Sequence, residues 1–188
     1  MNLLAIETST DICSVSLCQN KKEIITQENK IISSHTQSLA VIVDDIIKKN
    51  NFIIKELDHI LLSIGPGSYS GLRVATSFSK GLAYAIDKNI IPINTIDATN
   101  SIIEDKDDYY IAFHSHRDNV YYQKFSNGIS IGEQACNSIS KLGRDKIYGY
   151  GLDIFPDINA SEVKPSSLNL IKYIRENKND YKLIPRHS

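Results

Sequence analysis

Residues Gly65-Pro66-Gly67-Ser68-Tyr69-Ser70-Gly71-Leu72-Arg73 follow an apolar run, His59-Ile60-Leu61-Leu62-Ser63-Ile64, and precede a long helical pattern. A strand that breaks into a glycine-rich turn and then opens a helix aims backbone N–H groups at an anion or at another chain. The stretch is not a P-loop, because it has no Lys-Ser/Thr pair and its glycines do not match G-x-x-x-x-G-K. Gly67 suits a positive φ, Pro66 stiffens the turn, Gly71 permits close backbone approach, and Ser68 and Ser70 are both able to cap the helix. Two readings stand: an exposed helix start that holds a phosphate or a partner group, and a strand-to-helix corner with no ligand.

The flanking pattern places this loop in an α/β fold. Leu3–Ile6 reads as a buried strand, and Ile12–Leu17 alternates apolar and small polar residues after the turn formers Glu7–Asp11. Asn20-Lys21 turns the chain into a third antiparallel strand, Glu23–Ile32. Ser34 or Thr36 then caps a helix to about Lys49, with Leu39, Ile42, Val43 and Ile46 on one face and Asp44/Lys48 and Asp45/Lys49 as i,i+4 pairs. A helix over about 70–87, a short strand at Ile90–Ile93 and a helix started by Thr95 or Asp97 complete the order βββαβαβα.

The polar run Glu104–Asp108 divides the chain into a lobe of residues 1–104 and a smaller one of 105–188. In the second, Tyr109–His114, Val120–Phe125, Ile129–Ile131 and Ile147–Gly151 read as strands, and Pro165-Ser166-Ser167 introduces a last helix over about 168–178. The arrangement of 126–165 is not fixed by pattern. With 21 Lys+Arg against 22 Asp+Glu there is no global electrostatic footprint for nucleic acid. No apolar run reaches the length of a membrane span and no leader-like segment opens the chain, so a cytoplasmic protein is expected. Cys13, Cys18 and Cys136 lack C-x-x-C spacing and read as small buried thiols.

Chemistry-bearing residues are sparse. Glu7-Thr8-Ser9 sets a carboxylate and two hydroxyls at the end of the first strand, where a ligand-facing hairpin and a capped turn are both consistent. His114 and His116 share a strand face, but no third ligand completes a zinc set. The helix of about 70–87 carries a core stripe, Leu72, Ala75, Phe78, Leu82 and Ile86, and a second, small and semi-polar stripe, Val74, Ser77, Gly81 and Tyr84. Gly81 costs a helix about 1 kcal/mol against Ala, which close contact with another helix would justify, inside this chain or outside it.

Taken together, Leu4-Ala5-Ile6-Glu7-Thr8-Ser9, Ser34-His35, Ile64 to Arg73 and Lys80-Gly81-Leu82-Ala83 resemble, in order and spacing, the TsaB (YeaZ) family. The resemblance is strong over residues 1–100 and thin beyond. It implies a two-lobed actin-like, sugar-kinase-like (ASKHA) fold and a non-catalytic subunit that pairs with a TsaD-type threonylcarbamoyltransferase, joined by a TsaE-type ATPase. The implied task is threonylcarbamoylation of the adenosine beside the anticodon of ANN-decoding tRNAs, with tRNA reached through the complex. First-lobe helices would make the dimer surface, here through Leu39, Val43, Ile46, Val74, Ser77, Gly81 and Tyr84, and an isolated chain would be apt to homodimerise. Glu7, Thr8, Ser9, Gly65, Gly67, Ser68, Gly71 and Arg73 are the candidates for a phosphate or partner loop.

Where the catalytic paralogue carries an N-H-x-x-x-H metal motif, this chain reads Asn94-Thr95-Ile96-Asp97-Ala98-Thr99. Thr cannot replace a neutral imidazole as a transition-metal ligand. No cofactor is therefore expected on this chain alone, and ATP or ADP and a metal belong to the partner complex. The second lobe departs from the family pattern at His114-Ser115-His116-Arg117, at Gly149-Tyr150-Gly151 and in the reduced tail Leu183-Ile184-Pro185-Arg186. The competing expectation is a stand-alone ASKHA ATPase or phosphotransferase. A glycoprotease, the older label of this superfamily, finds no motif here.

Overall fold

The computed structural model describes residues 1–30, 35–143 and 145–177. Ser34 and the ends expected at Ile32, residue 178 and Leu183–Arg186 lie outside the described residues. The first lobe is a mixed five-stranded sheet in the order β3-β2-β1-β4-β5. Strands β1 (Leu3–Glu7), β2 (Ile12–Gln19) and β3 (Glu23–Lys30) are antiparallel, turned at Asn20 and Lys21, both in left-handed conformation. β4 (His59–Ser63) adds parallel to β1, and β5 (Asn89–Ile93) parallel to β4.

Both faces of this sheet are covered, which is why its central strands read as nearly continuous apolar runs. Alternation in β1 sends Leu4 and Ile6 to one core and Leu3 and Ala5 to the other. The first core lies under α1 (His35–Lys49) and α2 (Tyr69–Ile86). On the opposite face lie α3 (Thr95–Asn100) and α4 (Ser167–Glu176), with Ala98, Leu170, Ile171 and Ile174 packed against Leu61, Ile91 and Ile93.

The second lobe is a five-stranded sheet ordered β10-β9-β6-β7-β8. β6 (Asp108–His116), β7 (Asn119–Ser126) and β8 (Ile129–Ser138) form an antiparallel meander, with β9 (Lys146–Tyr150) parallel to β6 and the three-residue β10 (Ala160–Glu162) parallel to β9. The result is the expected α/β, actin-like two-lobed architecture. β8 runs seven residues past the expected Ile131, 138 minus 131, because backbone pairing to β7 carries a strand whose side chains are mostly exposed. β10 had no apolar alternation to mark it.

The last helix does not belong to the second lobe. Its start is tied to β2 by a buried cluster of hydroxyls: Ser167 Oγ lies 2.7 Å from both Ser14 Oγ and Ser16 Oγ, and Ser167 N–H donates to Ser14 Oγ at 3.0 Å. Glu28 on β3 accepts from Ser166 Oγ at 2.9 Å and pairs with Lys164 Nζ at 2.9 Å, which together hold its carboxyl below the usual range despite partial burial. Apolar stripe and polar lock both face the first sheet, so residues 167–176 complete the first lobe. No helix among the described residues is long and apolar enough to cross a membrane. Ser167→Ala removes the hub of the buried cluster and is expected to lower stability by about 1–3 kcal/mol, read as a reduced urea midpoint with unchanged m-value.

Candidate functional site

The glycine loop is built against the β1–β2 turn. Ser68 N–H donates to the Ser9 carbonyl at 2.6 Å, and Thr8 Oγ1 donates to the Gly71 carbonyl at 2.9 Å. A Cβ at Gly67 would overlap the Ser9 backbone, and one at Gly71 would overlap the Thr8 carbonyl oxygen. Gly65 accepts the Thr95 N–H at 2.8 Å, and its φ of +96° is a conformation that disfavours any side chain there. Ser68 caps α2 by accepting the Gly71 N–H at 3.3 Å. Glu7, Thr8, Ser9, Gly65, Gly67, Ser68 and Gly71 thus converge, whereas Arg73 lies a turn further on, exposed, its guanidinium 5.4 Å from the Tyr69 ring centre.

Glu7 closes this corner from below. Its carboxyl Oε1 accepts the Ser9 N–H at 2.5 Å and the group is buried. Burial lifts the carboxyl above the usual carboxylate range, against hydrogen bonds from Ser9 and Ser63 that pull it down. Burial also pushes the neighbouring Cys13 thiol up to about 12, with the Glu7 charge adding to the effect. Cys13 and Cys18 are buried as expected, but Cys136 is exposed, because β8 is an edge strand.

The interface candidates separate into two sets. Ser77, Gly81 and Tyr84 form an exposed stripe on α2, with Tyr84 70% exposed, and a Cβ at Gly81 would meet nothing within 4 Å. Among the described residues no buried helix contact accounts for Gly81. Val74 is half-buried and packs on the first core. Leu39, Val43 and Ile46 are buried in that core, so they are not surface residues. Their i,i+3/i+4 stripe is the face α1 presents to the sheet, and its outer face instead exposes Val41 at 60%. Sequence periodicity missed Val41 and Tyr69 because each falls off its helix's apolar stripe.

The segment aligned with the paralogue's metal motif is structural in this chain. α3 starts at Thr95, one of the two expected starts, and Asn94 caps it, accepting from Ile96 N–H at 2.8 Å and Asp97 N–H at 3.2 Å. Thr95 and Thr99 are fully buried; Thr95 Oγ1 lies 2.7 Å from Ser63 Oγ, and Thr99 Oγ1 donates to the Thr95 carbonyl at 2.8 Å. These hydroxyls are committed to the fold and do not fit a metal. On the second lobe a bulge separates His114 from His116: His114 Nε2 lies 3.1 Å from the Arg117 carbonyl, and His116 contacts Ser115 and Asn119. Among the described residues no three metal-ligating side chains cluster.

Between the lobes opens a cavity of about 1070 Å³, lined by Ser9, Asp11, Ser68 and Tyr69 from the first lobe and by Phe113, Tyr121, Tyr150 and Glu162 from the second.

Comparison with known proteins gives these features relatives. The family model described as TsaD, tRNA N6-adenosine threonylcarbamoyltransferase, matches residues 23–151. A tRNA threonylcarbamoyladenosine biosynthesis protein TsaB from Buchnera aphidicola (subspecies Acyrthosiphon pisum) is 30% identical over 146 residues, covering 74% of this chain and 65% of that protein, just under two thirds of it. The protein of that name from Haemophilus influenzae is 26% identical over 171 residues, covering 80% and 72%. The solved structure of YeaZ from Pseudomonas aeruginosa superposes with a TM-score of 0.78 at 20% identity, over 93% of this chain and 91% of that one, a likeness of fold.

The raised Glu7 carboxyl sets a pH dependence. The native chain keeps a proton there that the unfolded chain releases, so stability falls as pH rises from about 4.5 toward the folded value. Glu7→Gln keeps an oxygen acceptor for the Ser9 N–H and removes the charge. The variant is expected to melt above the parent at neutral pH, with the gap closing toward acid, in melting curves taken from pH 4 to 8.

Proposed function

Because the chain belongs to the TsaD-type family, on its TsaB (YeaZ) branch, we propose that it serves tRNA threonylcarbamoyladenosine biosynthesis as the non-catalytic partner of a TsaD-type threonylcarbamoyltransferase. In this reading it heterodimerises with that enzyme in the cytoplasm, and modification of the adenosine beside the anticodon of ANN-decoding tRNAs requires both chains. The observation that carries the non-catalytic assignment is the pair Thr95 and Thr99, whose buried hydroxyls serve Ser63 and the α3 backbone. ATP or ADP and the metal then reside in the complex, with a TsaE-type ATPase as further component and tRNA engaged through the assembly.

The partner surface is supported by the outer stripe of α2. Ser77 and Gly81 are small, Tyr84 and Tyr69 are exposed, and among the described residues no atom lies within 4 Å of a Cβ built at Gly81. Small residues beside exposed aromatics suit close helix–helix approach with anchors, and the same face would pair two copies when the partner is missing. A second reading, a stand-alone ATPase or phosphotransferase, draws on the cavity of about 1070 Å³ and on the capped α2 start at its wall.

Purification with and without the cognate transferase separates the two. The partner reading expects a 1:1 complex and modified adenosine only when both chains are present, whereas substantial ATP turnover by this chain alone overturns it. Gly81→Glu is expected to weaken the complex at least tenfold by isothermal titration while leaving the monomer's melting temperature within a few degrees, since Glu is a better helix former than Gly. Unchanged affinity would remove the α2 stripe from the interface.

A further inference from the structure

The two lobes meet on one side through α3 and on the other across the cavity mouth. On the α3 side, Ile96 packs into the second-lobe cluster of Tyr109, Ile111, Phe113 and Phe125. Tyr109 Oη donates to Asn100 Oδ1 at 2.6 Å, Asn100 Nδ2 donates to the Gly128 carbonyl at 2.8 Å, and Asn94 Nδ2 donates to Gln134 Oε1 at 2.9 Å. That side is packed, apolar in part, and bonded at several points. None of these residues but Phe113 lines the cavity.

Across the mouth the connection has another character. Tyr150, the last residue of β9, reaches from the second lobe and donates its hydroxyl to Asp11 Oδ1 in the β1–β2 turn of the first, at 2.8 Å. Both residues line the cavity. The other Asp11 oxygen lies 3.3 Å from Lys30 Nζ, so the acceptor is oriented from its own lobe before the tyrosine arrives. We propose that the Tyr150–Asp11 hydrogen bond is a latch that holds the two lobes closed over the cavity, with the packed α3 side as the hinge.

The tyrosine is suited to this. Burial, the bond to Asp11 and the negative charges of Asp11, Glu162 and Asp153 push its hydroxyl up to about 12, so it stays a donor throughout the physiological range. A partly exposed tyrosine–carboxylate bond is weak beside the hinge contacts. It therefore yields to any partner or ligand that gains more by entering the cavity than the bond supplies. Asp11 and Tyr150 sit beside the loop that positions α2, because Ser9 of the same turn accepts the Ser68 N–H. Opening of the mouth and the setting of α2 thus share one turn.

Spin labels test the latch directly on the full chain. Ser70→Cys and Asp157→Cys place one label on each lobe at exposed positions, in a Cys136→Ser background that leaves only the buried Cys13 and Cys18. The parent is expected to give a single narrow distance distribution. Tyr150→Phe, which keeps the ring and removes the hydroxyl, adds a longer-distance population at several times the parent's level, and Asp11→Ala does the same. The double variant gives no more opening than the larger single one. A Tyr150→Phe distribution that superimposes on the parent overturns the proposal, as does opening in Asp11→Ala alone, which would show that closure does not run through the Tyr150 hydroxyl. Melting curves of each variant establish that opening, not unfolding, is being read.

Discussion

The approach of the α2 start to the β1–β2 turn is the contact on which the rest of the first lobe depends. Gly67 and Gly71 bring backbone against backbone, leaving no volume for a Cβ at either position, and Thr8 and Ser9 fix the register by hydrogen bonds. That fit sets the direction of an 18-residue helix. A helix pinned this way at its first turn buries Ala75, Ser79 and Ala83 and turns Ser77, Gly81 and Tyr84 outward. The loop's geometry is that of a built strand-to-helix corner whose product is a positioned helix face.

The sheets beneath are held by different means. The first is sealed by apolar residues on both faces, and its outer helix α4 is further registered by hydroxyl groups on β2, small enough to fit between packed layers. The second relies on aromatic contacts, with Tyr109 stacked on Phe125 at 5.6 Å and edge-on to Tyr148 at 5.4 Å, and leaves β8 largely exposed.

Much of the first lobe was legible in the sequence because its signals are local. Turn residues at Asn20-Lys21, the apolar runs of β1 and β4 and the glycine string each state their structure within a few positions. The stripe of Leu39, Val43 and Ile46 shows where such reading stops: periodicity identifies an apolar face but not whether its partner is the same chain or another. The α4 stripe has the same ambiguity, and only Ser14 and Ser16, more than 150 positions away, decide which lobe receives it. β10 carries Ala160, Ser161 and Glu162, residues without strand character that pair because β9 offers an edge. Asp11 and Tyr150 were likewise unreadable as a pair, since nothing local to either points across 139 positions.

The return of α4 to the first lobe has a consequence for synthesis. As the chain emerges from its N-terminus, β1, β4 and β5 can assemble and be covered on one face by α1 and α2. On their other face α3 brings only Ala98, so Leu3, Ala5, Leu61, Ile91 and Ile93 lack the cover of Leu170, Ile171 and Ile174 until residues 167–176 have been made. The second lobe is complete before the first. The nascent first lobe thus carries a partly covered apolar face while the second lobe is being made, the interval in which chaperone capture and misassembly compete with folding.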